Sequence, residues 1–121
     1  MTKIPLYDKI SAELSYFKLG RNSMAYEYLT SAIEMVNRNS YYIRNFNMLY
    51  KDIAWKFETD TLNVRWSLSK LLSIMYLNTE DEIIQTYFNL KHYEKPSVKA
   101  FIMYVAKKID YEDSLEEKMS V

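Results

Sequence analysis

One glycine and two prolines in 121 residues leave this chain almost nothing with which to interrupt a helix. Apolar residues recur at helical spacing nearly throughout, so the sequence predicts an all-α domain, a compact bundle of about six to seven helices. A first helix is expected over residues 6–19, stopped near Gly20, and a second over 24–37. Asn22 or Ser23 caps the second, and Tyr28, Leu29, Ala32, Ile33, Met35 and Val36 form its apolar face. A third, aromatic helix falls within 40–48, and a fourth and fifth cover 49–57 and 60–76. Asn78 and Thr79 cap a sixth at 80–89, and Pro96 with Ser97 opens a seventh that runs to about 109. No repeat or linker interrupts them, and one domain of ordinary size accounts for the whole chain.

Charge divides the chain unevenly. The last twelve residues, "DYEDSLEEKMSV", hold five acids and one lysine, net −4, which leaves 15 cations against 11 anions, net +4, in residues 1–109. Residues 1–109 are therefore expected to form the domain and 110–121 an acidic C-terminal tail. Lys95, Lys99, Lys107 and Lys108 fall in a stretch without an acid, which suits either a phosphate-facing edge or a solvated helix face. The N-terminus lacks a signal-peptide pattern and no segment approaches the roughly 20 apolar residues of a membrane span, so no membrane partner is expected. With no cysteine present, disulfides and thiolate chemistry are excluded and the cytoplasm is the expected compartment.

Catalytic chemistry has little to stand on. The one histidine, His92, has no partners at catalytic or ligand spacing, and there is no glycine-rich phosphate loop. The acids of "TEDE" at 79–82 sit at a helix start, where they complement the macrodipole. Met24, Met35, Met48, Met75 and Met103 fall mostly at core spacing and are expected in packing. No enzyme activity, cofactor or metal is expected.

The informative stretch is "LYKDIAWKFETDTLNVRWSLSKLL", residues 49–72. It has the parts of a helix-turn-helix: a small residue at the crossing (Ala54), apolar clamps (Ile53, Phe57), and a short "ETD" turn capped by Thr59 or Asp60. Glu58 stands where such turns usually carry glycine. On a helical wheel Val64, Leu68, Leu71, Leu72 and Met75 share the core face. Leu62, Asn63, Trp66, Ser69, Lys70 and Ser73 lie opposite, with Arg65 on the flank. In the major groove Asn63 suits adenine, Arg65 guanine and Leu62 a thymine methyl, while Lys56, Thr59, Thr61 and Lys70 suit phosphates. Trp66 has no standard base-edge role, and an outward Trp beside an outward Leu is more typical of a protein contact.

Three blocks in order, "AYEYLTSAIEMV", "LYKDIAWKFETDTLNV" and "KPSVKAFIMYVAKKI", resemble the C-terminal DNA-binding domain of the stage-zero sporulation response regulator over roughly residues 10–112. The resemblance is carried most specifically by Tyr26, Tyr28, Leu29, Ala32, Ile33, Met35 and Val36, by Leu49, Tyr50, Asp52, Ile53, Ala54, Lys56, Phe57 and Thr59, and by Lys95, Pro96, Phe101, Ile102, Val105, Ala106 and Lys108. It implies an all-helical domain around a helix-turn-helix that binds short boxes of duplex DNA, often as a tandem dimer, and contacts an RNA polymerase sigma factor. The family reads bases with a Ser-Arg-Val-Glu-Arg run. The matching positions here are Leu62, Asn63, Val64, Arg65 and Trp66, of which only Val64 agrees. Each good base-edge pair contributes about 1–3 kcal/mol of discrimination, so recognition of the family's box should be weakened. No counterpart of the family's phosphoacceptor receiver domain is expected in this chain. The expected function is thus a transcription-regulator domain of altered specificity. The alternative is a degenerate relative that has lost DNA binding and engages a protein, such as the full-length regulator, through Leu62 and Trp66.

Overall fold

The computed structural model describes residues 4–91 and 94–119, so His92 lies outside the described residues. Among these the chain forms six α-helices, a short 3-10 helix and no strand. They are α1 (Leu6–Leu14), α2 (Met24–Arg38), the 3-10 helix (Ser40–Arg44), α3 (Phe46–Lys56), α4 (Thr61–Asn78), α5 (Asp81–Phe88) and α6 (Val98–Met119). The all-α bundle expected from the spacing is the observed architecture.

α2 is the central element, packed by α1, α3, α4 and α6, with α6 its most extensive neighbour. Ser23 caps it by accepting from the Tyr26 N–H, and Leu29, Ala32 and Ile33 are completely buried along its length. α4 presents Val64, Leu68, Leu72 and Met75 to the same core, as the wheel places them. Each such side chain stabilises the fold by about 1.5–3 kcal/mol relative to exposure. α6 contributes Phe101, Ile102, Val105, Ala106 and Ile109, and Ser97 caps its start by accepting from the Ala100 N–H at 3.1 Å.

Several boundaries depart from expectation. The first helix ends at Leu14, well before Gly20, because Phe17 must turn into an aromatic cluster with Tyr87, Phe88 and Phe101, at ring separations of 4.9, 5.8 and 5.3 Å. The expected third helix is a 3-10 turn, and the next helix already begins at Phe46. Asn39 accounts for that break by accepting from the Tyr41 N–H, which ties the backbone into a turn. Thr79 does not cap α5. It is buried, and its hydroxyl accepts the Lys18 N–H at 3.0 Å, so the segment after α1 is clasped to the end of α4. Met24 and Met48 are exposed and do not pack, Met48 because it shares the outer stripe of α3 with Lys51 and Trp55.

The last helix does not stop at 109 but continues as α6 to Met119, taking in most of the acidic segment. Asp110 accepts from Asn37 Nδ2 at 2.7 Å and Asp113 pairs with Lys9, so the acids are fastened to α2 and α1. The lysines between 95 and 108 do not form one edge either. Lys108 turns inward to Glu13 at 3.3 Å, and the Lys99 ammonium lies 5.2 Å from the Phe46 ring.

Candidate nucleic-acid interface

α3 ends in a turn built entirely from backbone bonds. The Thr59 N–H donates to the Ala54 carbonyl at 2.9 Å and the Glu58 N–H to the Trp55 carbonyl at 3.3 Å, with Glu58 at φ 55°. This is the paired closure that ordinarily places glycine in the left-handed region, and Glu58 occupies that position at a cost in strain. The chain then re-enters a helix at once, because the Asp60 carboxylate accepts the Asn63 N–H at 2.7 Å and so caps α4. Ala54 and Ile53 are buried at the crossing of α3 and α4, and Phe57 is half-buried with its ring edge-on to Tyr28 at 5.1 Å.

The outward face of α4 is mostly as the wheel places it. Leu62 and Trp66 are 76% and 61% exposed, and Asn63, Arg65, Ser69, Lys70 and Ser73 are also exposed. Asn63, Arg65 and Lys70 have partners within the domain. Asn63 Nδ2 donates to Thr59 Oγ1 at 2.9 Å and to Tyr28 Oη at 3.4 Å, so the amide is oriented across the turn. The Arg65 guanidinium lies 5.7 Å from the Tyr50 ring. Burial pushes the Tyr50 phenol up, with the Arg65 charge opposing the shift. Lys56 Nζ donates to Ser31 Oγ at 3.2 Å, which draws it toward α2, and Lys70 Nζ lies 5.0 Å from the Trp66 ring. Thr61 is half-buried at the first position of α4. Thr59, Asn63 and their partners thus form one connected unit, Trp66 and Lys70 another, while Lys56 and Arg65 lean on α2 and α3.

Sequence reasoning passed over Trp55, which is 86% exposed at the end of α3. The signal was available, since Trp55 lies about 200° around the helix from the buried Ile53. It also passed over Tyr28, Ser31 and Tyr50 as supports of Asn63, Lys56 and Arg65. Those contacts join different helices, and no local spacing reveals them.

An all-helical bundle in which α3, a four-residue turn and the outward-facing α4 succeed one another has the organisation of the helix-turn-helix class. Residues 10–109 match the family model described as the sporulation initiation factor Spo0A C terminal, and the chain belongs to that family of DNA-binding sporulation-regulator domains, which is not an enzyme family. No curated protein matches the chain. No helix among the described residues is long and apolar enough to cross a membrane.

Proposed function

We propose that this domain binds duplex DNA with the N-terminal half of α4 in the major groove, through a reading surface that differs from that of its family. The observation that carries the proposal is the α3–turn–α4 unit, closed by backbone bonds at Glu58 and Thr59 and capped by Asp60, which holds Leu62, Asn63, Arg65 and Trp66 outward. Leu62 and Trp66 supply apolar and shape contacts, and Asn63 and Arg65 read bases once released from Tyr28 and Tyr50. Thr59, Thr61, Lys56 and Lys70 hold phosphates. Exposed Glu58 and Asp60 at the turn repel phosphate and keep affinity modest.

Fluorescence anisotropy with labelled duplexes, one carrying the family's box and one scrambled, tests this at about 50 and 200 mM salt. Two to three phosphates neutralised by Lys or Arg correspond to a roughly 10- to 40-fold loss of affinity over that range. Replacing both Arg65 and Lys70 with Ala is expected to abolish binding, and duplex binding indifferent to that change would overturn the proposal.

A second reading is favoured by the exposure of Leu62 and Trp66 together with the internally satisfied Asn63. On that reading α4 is a protein-docking face, and Trp66→Ala releases a complex with the full-length regulator while DNA binding is absent from the start.

A further inference from the structure

The chain has two tryptophans, and both stand exposed on the α3–turn–α4 unit, Trp55 at the end of α3 and Trp66 in the second turn of α4. Each has an exposed lysine four residues away on its own helix, Lys51 before Trp55 and Lys70 after Trp66. Leu62, one turn before Trp66, extends the apolar surface of α4, which carries Arg65 and Lys70 and no acid over its 18 residues. Of the acids in the unit, Asp52 accepts from the Tyr42 hydroxyl, whereas Glu58 and Asp60 are exposed in the turn. Along the chain the surface therefore runs cation, ring, acids, ring, cation.

That alternation selects among partners. A purely apolar partner would desolvate Lys51 and Lys70 without a counter-charge. The base edges of an intact major groove present hydrogen-bonding groups, against which an indole has only its N–H to offer. The faces of the bases match an indole ring, but in a duplex they are hidden in the stack. An unpaired base exposes such a face and brings its own phosphate to a cation beside the ring. Trp66 and Lys70 already hold that arrangement, with the ammonium 5.0 Å from the indole.

We propose that this surface binds single-stranded nucleic acid, stacking unpaired bases on Trp66 and Trp55 and taking the adjacent phosphates on Lys70 and Lys51. Glu58 and Asp60 repel phosphate from the turn, which leaves the two outer cations as the backbone contacts. The inference rests on the reading of this unit as a nucleic-acid interface and adds the form of the ligand, a strand whose bases are out of the stack.

Because Trp55 and Trp66 are the only tryptophans in the chain, its intrinsic indole fluorescence reports on these two rings. Titration of the whole chain with an oligothymidylate of about ten nucleotides is expected to quench that fluorescence saturably. Two neutralised phosphates on a single strand predict a roughly 7-fold loss of affinity between about 50 and 200 mM salt. An abasic strand of the same length and charge should not quench. Trp66→Ala should lower affinity at least about 5-fold, the loss of one base stack, with helical content unchanged. Trp55→Phe and Trp66→Phe should each leave a single ring that the strand still quenches. No quenching by oligothymidylate, equal quenching by the abasic strand, or affinity indifferent to Trp66→Ala would each overturn the proposal. Anisotropy with a duplex separates the two readings. A duplex that binds while oligothymidylate does not would overturn the single-strand proposal alone, and failure of both ligands would remove the nucleic-acid reading with it.

Discussion

Glu58 sits in the left-handed region at the pivot of the α3–α4 turn, where a side chain costs about 1–2 kcal/mol relative to glycine. Glu58→Gly should therefore stabilise the domain by about 0.5–1 kcal/mol in urea unfolding, the gain being partly offset by the freer unfolded chain. Glu58→Val, β-branched at the same φ, should destabilise it. The glycine substitution also removes an acid from beside the proposed phosphate contacts, so DNA affinity is expected to rise rather than fall. Tyr42 supplies a pH-dependent residue. Its hydroxyl donates to Asp52, and this hydrogen bond, with burial and the Asp52 charge, pushes the phenol up to about 12 from 10. Because the protonated form is the one favoured by folding, its contribution is complete below pH 10 and is lost as pH rises through about 12. Unfolding measured across that window should show a steeper loss in the parent chain than in Tyr42→Phe.

At the scale of the element, α4 depends on its first turn. Asp60→Ala removes the cap on the Asn63 N–H and should cost about 1 kcal/mol, with the start of the helix fraying on the side proposed to meet DNA. Amide exchange at Asn63 should quicken well before the global transition moves. Helix periodicity made the core face of α4 legible in advance, because Val64, Leu68, Leu72 and Met75 report their burial through local spacing alone. The turn was legible too, down to the position that would normally hold glycine. The end of the first helix was not, because Leu14 is terminated by the demand of Phe17 for rings contributed by α5 and α6. Nor was the continuation of α6, because the partners of Asp110 and Asp113 are Asn37 and Lys9, contributed by distant helices across the bundle. The candidate site divides in the same way: outward orientation followed from the wheel, whereas the tethering of Asn63, Arg65 and Lys56 to Tyr28, Tyr50 and Ser31 is a property of the assembled helices.

Across the whole molecule one buried polar knot ties the first helix to the last two. Tyr87 Oη donates to Glu13 at 2.9 Å, Lys108 pairs with the same carboxylate oxygen at 3.3 Å, and the Lys108 ammonium lies 3.9 Å from the Tyr87 ring. Burial, then the Glu13 charge and the hydrogen bond to it, pushes the Tyr87 phenol up, which favours the protonated, donating form. Tyr87→Phe should cost about 1.5–3 kcal/mol in chemical unfolding, the range for a hydrogen bond to a charged group. The same long reach has a consequence for synthesis. α2, the centre of the bundle, takes its largest neighbour from α6, and α1 is held by Lys108 and Asp113, some hundred residues downstream. A nascent chain paused before residue 98 lacks the helix that makes the most extensive contact with α2. The domain must therefore wait for nearly its entire length to leave the ribosome before its first helices can settle, and interrupted translation yields a sticky fragment rather than a smaller folded one.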